Sequence, residues 1–76
     1  MNIDRALAIL TDALNRCRIY NVRTAEVLVA LDYLESVTTT KWPFPQFRMA
    51  LNFDDPEDRW ENLNASLKGI KHLFGS

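Results

Sequence analysis

Residues 41–53 of this 76-residue chain read KWPFPQFRMALNF and hold four of its eight aromatic side chains. Two prolines interrupt the stretch, and each disfavours helical backbone at the residue before it. Trp42 and Phe44 are therefore predicted to be extended. Pro45 suits the first position of a helix, where its missing N–H needs no partner. We predict an aromatic crossover followed by a short helix over residues 45–51.

The chain before the crossover is predicted to form an αα-hairpin. Apolar residues recur every three or four positions from Ile3 to Cys17, which is one stripe of an amphipathic helix. A turn near Tyr20 and Asn21 precedes a second helix, which ends at about Ser36. This second helix is apolar around most of its circumference, so we expect it to be buried on several sides or to face another subunit.

A long helix is predicted after the crossover. Asp55 can cap it, Pro56 fits its first position, and apolar residues then repeat every three or four positions up to Phe74. Gly69 within it marks either a close approach of another helix or a tolerated defect costing about 1 kcal/mol. The prediction is an all-α fold in a single domain over residues 1–76. It is a small three- to four-helix bundle made of the αα-hairpin, the aromatic crossover with its short helix, and the long C-terminal helix.

The composition and net charge of the chain indicate which broad class of protein it belongs to. Hydrophobic residues make up 47% of the chain and charged residues 25%, which is ordinary for a folded domain and argues against disorder. The net charge of −1 lacks the positive excess of a broad phosphate-binding surface. The unbroken apolar run at residues 27–31 is too short to span a bilayer, and the first residues do not resemble a signal peptide. With Cys17 as the single cysteine, we predict a cytoplasmic protein without membrane contact.

Few residue types in the chain point to chemistry. His72 stands where a cation suits the C-terminal end of a helix, and no acid lies within a helical turn of it. Cys17 falls on an apolar stripe and behaves there as a small hydrophobic residue. The acids of residues 54–58 lack the spacing of a calcium loop and are explained by helix capping. We predict no catalytic residue, no metal site and no cofactor.

The aromatic stretch admits two interpretations. In one, its rings fold over the hairpin and fill the core; in the other, some of them remain outside and anchor a partner. Phe47 and Phe53 resemble core residues, whereas Trp42 and Phe44 resemble residues offered outward. The main functional prediction is a small non-catalytic protein–protein interaction module that associates with itself, with a dimer favoured, or with another protein. Its predicted partner surface comprises Trp42, Phe44, Phe47, Val29 and Tyr33.

An alternative prediction rests on three arginines around the first turn. Arg16, Arg18 and Arg23 lie close together in sequence and can contact phosphates. The alternative function is a small nucleic-acid-associated regulator, which would have to oligomerise to gather enough positive charge. The near-neutral net charge makes nucleic acid the less favoured partner.

Overall fold

The computed structural model describes residues 1–75 and has four helices. Helix α1 covers Ile3–Arg16, α2 Ala25–Ser36, α3 Pro43–Ala50 and α4 Pro56–Leu73. No β-strand occurs in this part of the chain. The predicted all-α fold, a small helical bundle, is confirmed.

Local capping signals set where α2 and α4 begin. The Thr24 side chain accepts a hydrogen bond from the backbone N–H of Val27 at 3.3 Å, just ahead of α2. The Asp55 carboxylate accepts one from the backbone N–H of Glu57 at 3.3 Å, and Pro56 occupies the first turn of α4. Each cap satisfies a donor that has no partner inside its own helix.

Helix α3 begins two residues earlier than predicted. Trp42 has helical backbone angles (φ −56°, ψ −36°), and Phe44 lies inside the helix. The prediction of extended backbone at these two residues is wrong. The first four N–H groups of a helix have no intrahelical acceptor, so Pro43 and Pro45 both fit its first turn without losing a hydrogen bond.

The helices pack in two pairs around one core. Helix α1 packs against α2, α3 packs against α4, and a smaller contact joins α1 to α4. The bulkiest side chains in this core, Phe44 and Phe47, come from the short helix α3. Within residues 1–75, no helix combines the length and apolar character that crossing a bilayer requires.

Candidate functional site

The structure divides the predicted partner surface. Phe44 and Phe47 are fully buried, so neither lies on any surface of this fold, and the expectation that Phe44 points outward is wrong. Because helical backbone begins at Trp42, Phe44 and Phe47 lie three positions apart in one helix and share its inward face. The interpretation in which the rings fill the core holds for these two.

Trp42 lies on the surface, but part of its ring packs against α4. The side chain is 57% exposed. A Cβ built on Gly69 of α4 would lie 2.7 Å from Cη2 and 3.0 Å from Cζ2 of the Trp42 ring. Gly69 therefore marks a close approach, which was one of the two predicted alternatives. The group that approaches it is the indole ring of Trp42 rather than the backbone of another helix. One edge of the ring is packed and the remainder faces solvent.

The two remaining members of the predicted surface lie on α2. Val29 is 54% exposed, whereas Tyr33 is half-buried and packs against the core. Val29 shares the outward side of the helix with Ala25 and Asp32, which lie one turn before and one turn after it. Only one large apolar side chain therefore stands on this side of α2, so the helix has a weaker outward apolar face than its composition indicated.

Two of the three predicted phosphate-binding arginines are already ion-paired. Arg16 lies 3.4 Å from Asp12 and above the Tyr20 ring. Arg18 makes a two-point contact with Glu57, at 2.8 Å and 3.2 Å. Its guanidinium also lies 4.4 Å from the ring centre of Trp60, a cation–π distance.

Arg23, the third of these arginines, differs from the other two. It is exposed, and no carboxylate oxygen within residues 1–75 lies within 4.0 Å of it. The predicted arginine cluster thus consists of two ion-paired side chains, Arg16 and Arg18, and one, Arg23, that has no carboxylate partner in the described residues.

Arg59 holds two loops against α4, a role that no pattern in the sequence indicates. Its Nε donates to the carbonyl oxygen of Cys17 at 2.8 Å, and one terminal nitrogen donates to that of Phe53, also at 2.8 Å. These bonds fix the guanidinium in place, yet both acceptors are neutral. The positive charge of Arg59 therefore has no carboxylate partner within 4.0 Å in the described part of the chain.

A surface groove of about 350 Å³ lies where the α1–α2 loop meets the α3–α4 loop. We call it the loop groove. Its principal lining residues are Ile19, Arg23, Leu51, Phe53, Asp54 and Arg59. Ile19 on its rim is 80% exposed, the largest exposure of any bulky apolar residue described. The groove thus combines one highly exposed isoleucine, two cations and one carboxylate, and Tyr20, Asn21 and Asn52 complete its lining.

A second groove of about 310 Å³ lies on the other side of Tyr20, between α1 and α2. Its floor is apolar and includes Ile9 and Val27, which are buried. Its rim carries Asp12, which already pairs with Arg16. This rim offers fewer unpaired charged groups than the loop groove does.

Cys17 and His72, the two side chains weighed for catalysis from the sequence, lie in structural positions. Cys17 is fully buried, and its thiol donates to the carbonyl oxygen of Leu14 at 3.2 Å. Burial raises the pKa of the Cys17 thiol, and the nearby charges of Arg59 and Arg18 only partly oppose this, so the unreactive protonated form is favoured. His72 is exposed in the last turn of α4, as its sequence position indicated. Among residues 1–75, no three histidine, cysteine or acidic side chains are grouped to hold a metal ion.

Ile19 and Arg59 were not predicted from the sequence as site residues. Ile19 stands between Arg18 and Tyr20 just after the stripe of α1 ends, and an isoleucine in a turn next to charged residues was the available signal. No sequence signal marked Arg59, because its two acceptors lie on loops that only the tertiary fold brings to it.

No protein family model matches this chain, and no curated protein or solved structure matches it either.

Proposed function

We propose that this chain is a small, non-catalytic helical interaction module that associates with a second copy of itself. The observation that carries the proposal is the 80% exposure of Ile19 on the rim of a groove. Burying an isoleucine side chain that is exposed in the monomer contributes about 1.5–3 kcal/mol to association. Further exposed apolar side chains support the same conclusion: Tyr20, Val29, Trp42 and Met49.

Two surfaces compete for the contact. The surface predicted from sequence retains Trp42 and Val29. The loop groove offers Ile19 with charged groups beside it. We favour the loop groove because part of the Trp42 ring is already packed on Gly69, whereas Ile19 is almost fully exposed. Association there gains both apolar burial and directional polar contacts.

The alternative function, a regulator that binds nucleic acid, takes second place. Arg16 and Arg18 already pair with Asp12 and Glu57, and breaking those pairs opposes binding to phosphates. We place the module in the cytoplasm, as predicted from its first residues and its short apolar runs, with the unpaired Cys17 as additional support.

Sedimentation velocity over a wide range of protein concentrations tests the proposal. We expect a dimer whose population rises with protein concentration. Ile19→Ser weakens it about tenfold or more, because it removes most of the isoleucine burial. The matched control is Ala8→Ser, at a small exposed site on α1, which leaves dimerisation unchanged. A wild-type chain that stays monomeric up to about 1 mM, the weak end of specific affinity, would overturn the proposal.

A further inference from the structure

We infer that the loop groove is a self-complementary dimer contact in which Arg23 of each copy binds Asp54 of the other, around Ile19. The inference rests on the proposed function and specifies the surface that performs it. Its occupant is a second copy of this chain, and the argument for that occupant is charge complementarity.

The cations of the groove have no carboxylate partner within residues 1–75. Arg59 is held rigidly by two carbonyl oxygens, and its second terminal nitrogen has no acceptor within residues 1–75. No side-chain nitrogen or oxygen within residues 1–75 is buried without a partner, so this nitrogen retains contact with solvent. Arg23 lines the same groove, and its guanidinium likewise has no carboxylate within 4.0 Å in the described part of the chain. A fixed guanidinium binds a carboxylate with little loss of side-chain entropy.

Three of the four arginines outside the groove have carboxylate partners. Arg16, Arg18 and Arg48, which lie elsewhere on the surface, each have a carboxylate within 3.4 Å or closer. Arg5, the fourth of these arginines, has no carboxylate oxygen within 4.0 Å in residues 1–75, but it is the single cation that lines its own groove. The loop groove differs because two cations line it together, beside the most exposed isoleucine.

A matching carboxylate lies on the same surface. Asp54 lines the loop groove and forms no ion pair within the described residues, whereas the next two acids are engaged. The Asp55 side chain caps α4, and Glu57 binds Arg18. A two-fold contact uses the same patch on both subunits, so a patch with unpaired groups of both signs allows each sign to meet the opposite sign of the other copy. In that arrangement residue 23 of one chain meets residue 54 of the other, and the contact occurs twice.

The composition of the groove disfavours a nucleic acid as its occupant. A phosphate backbone is bound by a row of cations, and here two cations are accompanied by the Asp54 carboxylate. The exposed Ile19 beside the charged groups suits a protein surface, because an apolar contact there shields the charged pair from water.

Charge reversal tests the contact in the full chain. Arg23→Asp and Asp54→Arg each replace two attractive contacts in the dimer by two repulsive ones. We expect each to weaken homodimerisation about tenfold or more, as measured by sedimentation equilibrium. An equimolar mixture of the two variants has only attractive contacts between unlike chains, so it forms a heterodimer of near wild-type affinity. The double variant likewise recovers its homodimer.

The control variant is Arg5→Asp, which makes the same charge change on an exposed residue outside the loop groove. We expect Arg5→Asp to leave the dimer intact. Circular dichroism of every variant checks that it folds. If the wild type dimerises but the charge-reversed variants behave like Arg5→Asp, the contact is overturned while self-association stands. If the wild type never dimerises, the proposed function fails and the contact fails with it. A heterodimer no stronger than the two homodimers would also overturn the contact.

Discussion

The close approach of Trp42 to Gly69 predicts the effect of Gly69→Ala, which adds a single methyl group. Gly69→Ala places a Cβ 2.7 Å from Cη2 of the ring, closer than carbon atoms can sit, so the ring must move. Because Trp42 is already 57% exposed, we expect it to swing further into solvent. Its fluorescence emission then shifts to longer wavelength. The gain in helix propensity, about 1 kcal/mol, offsets the lost contact, so the free energy of unfolding changes by less than this amount.

The measurement uses a Trp60→Phe background, in which Trp42 is the remaining indole of the two in the chain. Gly75→Ala is the control. Gly75 has φ +77°, and a Cβ added there would have no atom within 4 Å, so this change strains the backbone without touching a ring. Emission from Trp42 stays unchanged there. An unshifted spectrum in Gly69→Ala would contradict the packing of Trp42 on α4.

Individual residues were the hardest features to predict from the sequence. Gly69 was recognised as a candidate close approach, but nothing in a linear pattern indicates that its neighbour is Trp42, since the two lie on different helices. Phe44 was misplaced because the rule for residues before proline was given more weight than the first-turn tolerance for proline. Whether Ile19 is exposed depends on how the two loops around it pack, which the sequence pattern does not specify.

At the scale of helices, Arg48 joins α3 to α2. One terminal nitrogen of Arg48 lies 2.7 Å from both Asp32 and Glu35. Burial acts to lower the pKa of Arg48, but its hydrogen bonds to Glu35 and Asp32 outweigh burial and raise the pKa above the usual arginine value. Because the folded-state pKa of Arg48 is raised, the bridge contributes its full stability below the pKa of an unfolded arginine, which lies far above ordinary pH. The bridge therefore does not weaken through arginine titration at ordinary pH.

Arg48→Met keeps the apolar stem and removes the bridge, leaving Glu35, which is only 26% exposed, without its partner. We expect the free energy of unfolding to fall by about 1–2 kcal/mol, as measured by urea denaturation. The control is Arg16→Met, which breaks a pair that is more than half exposed on both sides. That change costs about 0.5 kcal/mol or less. Equal losses in the two variants would show that Arg48 does not bridge the helices.

Helices whose ends are set by local chemistry were predicted well. The caps at Thr24 and Asp55 act through backbone groups two or three residues away, so the sequence contains the whole interaction. The start of α3 was misplaced because two opposing local rules apply to Pro43 and Pro45, and the burial of Phe44 favours the helical choice. The Arg48 bridge escaped prediction since it joins side chains on separate helices.

At the scale of the whole molecule, the surface left for a partner is what remains after the helices have packed. The composition predicted an excess of apolar surface, and exposed apolar side chains are present at Ile19, Val29 and Trp42. Their grouping was not predictable, because the loop groove is formed by the α1–α2 and α3–α4 loops, which are distant in sequence. Arg59 binds a carbonyl oxygen from each of these loops, so the groove is a rigid part of the fold.

Self-association couples the stability of the molecule to its concentration. Because the partner is the chain itself, raising the concentration from the Kd to about 100 times the Kd stabilises each chain by about 1 kcal/mol. For a domain of this size that is a rise in Tm of about 4–8 °C, measurable by circular dichroism in cells of different path length. Ile19→Asp places a charge at the centre of the proposed contact, so its Tm stays constant over the same range. A wild-type Tm that is equally constant would mean that the loop groove stays open in solution, because folding would then gain nothing from a second copy.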